Sequence, residues 1–244
     1  MTNASQLTGP VISAAQGIFS ESSAAMHTVG SYIETNDGRG FRYAKAGAVG
    51  FVVGRLYQSA AEDTTNQESL TCAVNSIGDT AVVTTTTVTL AANLLAGGFM
   101  TVISGTLGVG YTYKIKSNTA AAGAVVTFTL ADPIQVATTG TVIVDVSPNP
   151  YSGVIITPAG TATSAAVGVS VYNGTALYYG WVQTHGPASV LCSTTITVGN
   201  SVTPINATTA GAATVATNGV KAPIGYALTG IATTDCGLVF LTIN

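Results

Sequence analysis

The chain has 244 residues, 47% apolar and only 7% charged, with a net charge of −3 and a sequence pI near 5.1. A chain of this length buries roughly 70% of its unfolded surface and needs no metal or disulfide to hold a core, while typical domains carry about 25% charged residues. Mild acidity without a basic patch excludes a nucleic-acid binder, which must neutralise phosphates with clustered Lys and Arg.

The opening MTNASQLTGPVISAAQG has neither a cationic n-region nor an apolar h-region, so no secretory leader is expected. Residues 1–38, rich in Ser, Ala, Thr and Gly, read as an extended arm that gains order on a partner, with a short helix over Ser13–His27. An Asn36-Asp37-Gly38 turn follows. Phe41, Tyr43 and Lys45 then alternate with Arg42 and Ala44, which predicts a strand ended by Gly47. Phe51–Val53 and Leu56–Gln58 read as short strands about a Val53-Gly54 turn, and Ala60–Ser69 as a polar loop or one short helix.

The middle of the chain has the clearest period of two. Tyr111, Tyr113 and Ile115 share one face, and Thr112, Lys114 and Lys116 the other. Val126, Phe128 and Leu130 alternate with threonines, and Val142, Val144 and Val146 alternate in the same way. Thr84–Leu90 and Phe99–Ser104 are further strands, rich in the β-branched residues that pack well on a pleated surface. Pro148-Asn149-Pro150 stops ladder pairing. Beyond it, strands are predicted at Gly153–Ile156, Val167–Tyr172, Tyr179–Thr184, Thr195–Val198, Gly225–Leu228 and Leu238–Ile243. No segment after residue 70 carries a helical apolar stripe.

Two stretches, Thr80–Tyr113 and Val146–Val220, lack Asp, Glu, Lys and Arg. Their length suits a membrane helix, but Thr, Ser, Gly, Asn and Pro interrupt them throughout. An aromatic content of 7% is too low for the girdles of a membrane barrel, so no membrane partner is expected. A loose internal echo joins the two ends. Phe41 to Leu56 and Trp181 to Val202 each run strand, Gly break, small residues, Val-Gly turn and strand. The expectation is an all-β chain with a compact barrel- or sandwich-like main domain from residues 39–78 and 147–244. Residues 79–146 would be an inserted β lobe, and residues 1–38 an arm.

Groups able to carry chemistry are few. Cys72, Cys192 and Cys236 are too widely spaced for a disulfide framework or a zinc site and read as free thiols. The two histidines are His27, in the arm, and His185, at a strand end. A folded triad of a Cys or Ser with His185 and Asp235 is conceivable, but no nucleophile elbow supports it. Glu62, Asp63 and Glu68 cluster without calcium-loop spacing. Gly105-Thr-Leu-Gly108-Val-Gly110 lacks the helix and Lys of a phosphate loop and reads as turns. Sequons at Asn173 and Asn206 are ordinary in a Thr-rich chain. The sequence thus implies no catalytic residue, no cofactor and no metal. Four of the seven basic residues, Arg39, Arg42, Lys45 and Arg55, form the one local cluster; Lys114, Lys116 and Lys221 stand apart.

Phe41-Arg42-Tyr43-Ala44-Lys45-Ala46-Gly47-Ala48 followed by Gly54-Arg55-Leu56-Tyr57-Gln58 resembles the opening of head decoration (cement) proteins of tailed bacteriophages. So do Gly180-Trp181-Val182-Gln183-Thr184-His185-Gly186-Pro187-Ala188, Val198-Gly199-Asn200-Ser201-Val202 and Ile224-Gly225-Tyr226-Ala227-Leu228. The resemblance covers most of residues 39–244, on short Gly/Val-rich motifs. It implies a non-enzymatic virion protein, made in the host bacterial cytoplasm, that binds the outer capsid surface and clamps neighbouring major capsid subunits. It also implies a homo-oligomer, with a trimer favoured by capsid symmetry. The expected capsid-contact residues are Phe19, Arg39, Phe41, Arg42, Tyr43, Lys45 and Arg55. The leading alternative is a tail or fibre component with a carbohydrate-binding platform of Tyr172, Tyr178, Tyr179 and Trp181. A hydrolase on a β scaffold and a bacterial surface-layer domain are the lesser rivals.

Overall fold

Sixteen strands and one four-residue helix make up the described residues of the computed structural model, which are 15–85, 90–121, 123–160, 162–204, 207–216 and 223–243. The protein is all-β. It divides into two compact units, Met1–Ala61 with Pro150–Asn244, and Glu62–Asn149.

The first unit contains β1 (Tyr32–Glu34), β2 (Gly40–Ala46), β3 (Leu56–Gln58), β10 (Ser152–Ile156), β11 (Ala166–Ser170), β12 (Tyr179–Leu191), β13 (Ser201–Thr203), β14 (Thr214–Val215), β15 (Gly225–Ala227) and β16 (Cys236–Thr242). Its pairings close two rings. In ring one, β2 pairs β10, β10 pairs β3, β3 pairs β11, β11 pairs β12, and β12 returns to β2 through Trp181 opposite Tyr43. Ala44 and Ala46 leave room in its centre for Phe51, Tyr57 and Tyr172, which pack with Val154, Val167 and Val182. In ring two, β12 pairs β16, followed in turn by β15, β13 and β14. The circuit closes where Ala213 donates to the Leu191 carbonyl at 2.8 Å and accepts from Ser193 N–H at 2.9 Å. Val190, Cys192, Ile196, Val202, Val239 and Leu241 are among the side chains that fill it.

β12 serves both rings, so the sequence reading of its length was too short. Gly186-Pro187 reads as a stop, yet the strand runs through it. Gly186 takes φ 82°, a left-handed conformation open to glycine. The buried Gln183 amide donates to the His185 carbonyl at 2.9 Å and the Pro187 carbonyl at 2.8 Å, satisfying groups that the bulge takes out of the ladder. Pro187 lies just past the last β2 pair, where pairing continues with β16 alone. The internal echo is therefore not a structural repeat, because β2 ends at Ala46 whereas β12 continues to Leu191.

The second unit holds α1 (Thr64–Gln67), β4 (Leu70–Cys72), β5 (Ala81–Thr85), β6 (Phe99–Ser104), β7 (Thr112–Asn118), β8 (Val125–Leu130) and β9 (Val142–Ser147). Its six strands close an antiparallel barrel in the order β4-β5-β8-β7-β6-β9. Strands β6 to β9 form a Greek key, with β9 returning beside β6. Inward residues of each alternating strand, including Met100, Val102, Tyr113, Ile115, Val126, Phe128, Val142 and Val144, form one core. Asn118 pins a loop over it, accepting from Leu95 N–H at 3.0 Å and donating to the carbonyls of Ala91 and Thr119, both at 2.9 Å.

Several expectations need correction. Residues 62–78 belong to the barrel unit, because β4 pairs β5 and β9. The barrel unit also runs on to Asn149, past the expected end at residue 146. Phe51–Val53 is a loop whose Phe51 points into ring one, and Thr195–Val198 contributes only a single bridge through Ile196 to Ile231. β5 begins at Ala81 and ends at Thr85; the rest of the expected Thr84–Leu90 strand falls on residues 86–89, outside the described residues, and on Leu90, which is not in a strand. The expected helix over Ser13–His27 is absent from its described part, residues 15–27. That part of the arm is a strap bound to ring one.

Candidate interaction surface

The strap covers the outer face of ring one where β1, β2 and β12 adjoin. On β2, Phe41, Tyr43 and Lys45 point to this face, and Arg42, Ala44 and Ala46 to the other. Phe41, Tyr43, Trp181 and Ile33 are buried there beneath Ile18 and Val29 of the strap. The buried Gln16 fastens it. Its amide donates to the carbonyls of Ser20 (2.8 Å) and Tyr179 (2.9 Å), and its oxygen accepts from the Tyr43 hydroxyl at 2.7 Å. The Gln16 carbonyl accepts from the Trp181 indole at 3.0 Å. Ser22 and Tyr179 exchange backbone bonds of 3.0 and 2.9 Å. The His27 ring packs with its centroid 5.2 Å from both Tyr43 and Trp181.

The strap is also bonded to the 173–178 loop of ring one, which is in turn bonded to the 47–54 loop. Glu21 accepts from the Thr175 amide and from its hydroxyl at 2.8 Å. Leu177 N–H donates to Gly47 O at 3.1 Å, Gly174 N–H to Phe51 O at 2.8 Å, and Val53 N–H to the Asn173 side chain at 3.0 Å. Segments 15–31, 47–54 and 173–178 thus form one connected surface. It displays Phe19 (63% exposed), Leu177 (59%), Val49 and Val53. Leu177 is held at φ 67°, a conformation that a bulky residue adopts only when its surroundings impose it.

The seven expected contact residues do not share one site. Phe19 lies on the laced surface. Phe41 and Tyr43 are core residues and cannot touch a partner in the folded chain, because β2 is covered on both faces. Lys45 is half-buried with its ammonium 5.5 Å from the Tyr179 ring centroid. Arg42 faces the opposite way, its guanidinium 5.4 Å from the Tyr32 centroid and 5.5 Å from that of Tyr151, donating to Gly30 O at 2.9 Å. Arg39 pairs with Asp37 at 2.8 Å, and the short bond from Thr35 is the main cause that holds the Asp37 carboxyl below its ordinary range. Arg55 donates to Ala210 O, away from the others. Val49, Val53 and Leu177 were missed. Isolated apolar residues in Gly-rich loops carry no periodic signal, and a positive φ at Leu177 has none at all.

The chemically capable groups are likewise dispersed. His185 pairs with Thr242, while Asp235 precedes Cys236 at the far end of β16. Seven residues at about 3.3 Å each separate them by roughly 23 Å, so the conceivable triad is not assembled. Cys72 and Cys192 are buried; burial pushes the Cys72 thiol up and, with a smaller contribution from Cys236, the Cys192 thiol to about 11. The Glu68 carboxyl is raised chiefly by Glu62, with Asp145 adding to the repulsion. Among the described residues no group of three His, Cys, Asp or Glu is placed to hold a metal, and no helix is long and apolar enough to cross a membrane. Lys221 and the Asn206 sequon lie outside the described residues.

No protein-family model, no curated protein and no solved structure matches this chain. The surface itself therefore carries the functional reading.

Proposed function

We propose that the chain is a non-enzymatic structural protein of a tailed-phage virion that binds the outer capsid surface and clamps neighbouring major capsid subunits. It acts as a closed assembly of identical copies, without a cofactor and without nucleic-acid or membrane partners. The observation that carries this reading is the laced surface of the strap and two loops, which presents Phe19, Val49, Val53 and Leu177 to solvent from a rigidly bonded base. Preorganised apolar side chains on a fixed scaffold suit a contact that must not spend its affinity on ordering. The scarcity of charge also fits a protein whose surface is covered in use. The aromatic platform of the fibre reading lacks its main members, since Trp181 and Tyr172 are buried.

The test is co-sedimentation with expanded heads stripped of decoration. Saturable binding at a fixed ratio to the major capsid protein, weakened at least tenfold by the double variant Phe19→Asp/Leu177→Asp, is the expected result. No binding at any ionic strength would remove the reading and turn attention to a glycan screen.

A further inference from the structure

Two half-buried strands of the barrel unit place mostly polar residues outward. β7 sets Tyr113 and Ile115 inward against Thr112, Lys114 and Lys116, and β8 alternates Val126 and Phe128 with threonines. β16 does not, and neither does β6, which exposes Phe99 and Ile103. β16 reads Cys236-Gly-Leu-Val-Phe-Leu-Thr242, with Val239 and Leu241 in the core of ring two and Leu238 and Phe240 on the opposite face. Four consecutive apolar residues are the pattern of a strand covered on both sides, yet Leu238 is 40% exposed.

The neighbouring strands extend this face. Phe240 pairs with Tyr226 of β15, itself 42% exposed, and the two rings stack with centroids 5.2 Å apart. On the other side Phe240 pairs with Pro187 of β12, and the His185 ring meets it edge-on at 5.2 Å. Leu228 is exposed just beyond β15. None of β12, β13, β15 and β16 contains Asp, Glu, Lys or Arg. Two strands about 4.8 Å apart over seven paired residues of about 3.3 Å, with the three residues of β15 beside them, give a footprint of roughly 270 Å². That approaches the largest apolar patches on monomers and is about a third of the ~800 Å² per partner of a stable interface. It is the area expected of an interface's apolar centre, which is depleted of charge.

A partner of ordinary composition would bury its charges on a face that offers no counter-charge, which is strongly unfavourable. The surface best matched to it is another copy of itself, from a chain with 7% charged residues. We infer that the outer face of β12, β16 and β15 packs against the same face of a second copy of this chain. Such a contact is isologous and closes at two copies, stacking the sheets about 10 Å apart, so the pair replaces the trimer expected from capsid symmetry. The inference rests on the proposed self-association and names its surface.

Sedimentation equilibrium on a dilution series decides it. The wild-type chain and Val125→Lys, a control on the exposed face of β8, should sediment as dimers. Ser189→Lys should sediment as a monomer with unchanged circular dichroism and Trp181 emission, because Ser189 is exposed and lies opposite Leu238. Tyr226→Lys is the second variant, expected to behave alike. The exposed Cys236 shares this face and should become at least tenfold more reactive to a thiol reagent on dilution to monomer. A wild-type monomer at every concentration, an assembly other than a dimer, or a dimer that both variants leave intact would overturn the inference. Head binding reports separately: a dimer that ignores heads removes the capsid reading alone, and a Ser189→Lys monomer that still binds heads leaves it standing.

Discussion

Gln16→Ala tests whether the strap is part of the folded unit or an arm resting on it. The substitution removes three side-chain hydrogen bonds while keeping the backbone carbonyl that receives the Trp181 indole. The Ser20 carbonyl is exposed and can rehydrate, and the Tyr179 carbonyl keeps its bond from Ser22. The Tyr43 hydroxyl, buried beneath the strap, loses the acceptor of its proton. A net hydrogen bond contributes about 1 kcal/mol and a stranded buried donor costs about 1–3 kcal/mol, so the expected loss is about 3 kcal/mol. For a unit of this size that lowers Tm by roughly 6–12 °C. Trp181, the one tryptophan of the chain, sits under the strap and reports the transition by its emission. Phe19→Ala, on the exposed part of the strap, should stay within about 0.5 kcal/mol of wild type. A Gln16→Ala loss below about 1 kcal/mol, or hydrogen exchange showing residues 15–31 unprotected in the wild-type chain, would refute the clamp.

Three other outcomes follow from the geometry. Burial pushes the Tyr57 phenol from its ordinary value near 10 up to about 12, and moves Tyr172 in the same direction with help from Glu21. The unfolded chain therefore ionises first, so stability is full below pH 10 and falls by about 1.4 kcal/mol per pH unit per group from there to about 12. Tyr57→Phe should flatten that fall while costing, at neutral pH, its bonds to Val52 N–H and Gly50 O; urea midpoints flat through about pH 11 in the wild type would contradict this. Gly180→Ala should unfold the first unit, because the new methyl overlaps the Tyr172 hydroxyl. That hydroxyl is buried without a hydrogen-bond partner among the described residues, so Tyr172→Phe is expected to leave Tm unchanged or raise it, and a drop of several degrees would argue against this packing. Asn118→Ala strands the buried Leu95 N–H, removes two bonds to the carbonyls of the exposed Ala91 and Thr119, and should lower the barrel's transition by about 3 kcal/mol while Trp181 emission at its own transition stays as in wild type. A shift of the Trp181 transition instead would mean that the two units unfold together.

The strands legible in the sequence are those buried on one face. The runs that became β7, β8 and β9 alternate because one side fills a barrel and the other meets water. β1, β4, β13 and β14 span only two or three residues, too few for a period to show. β2 alternates legibly, but residues of both its faces were expected at a contact, whereas a strand packed under a strap and inside a ring exposes neither face. The strap reads as a loose arm because its hold comes from one glutamine and a series of backbone bonds, which leave no pattern in composition. Gly186-Pro187 misleads for a related reason: the groups that let β12 pass through come from Gln183, three and four residues away. Of the candidate surface, only Phe19 was singled out from the sequence, because the other members are brought together by long-range loop bonds.

The first unit is interrupted between Ala61 and Pro150, and the strands on either side of the break, β3 and β10, are antiparallel neighbours with Gln58 opposite Ile155. Where an ordinary chain would make a hairpin turn of a few residues, this one inserts a closed barrel. The insertion leaves from and returns to paired strands, so the barrel is set into the first unit as a cassette. Excising residues 62–149 and joining the ends with a short Gly-containing turn keeps every pairing of both rings, and a different small domain with neighbouring termini would fit the same gap. The first unit can thus carry a different insert without being redesigned itself.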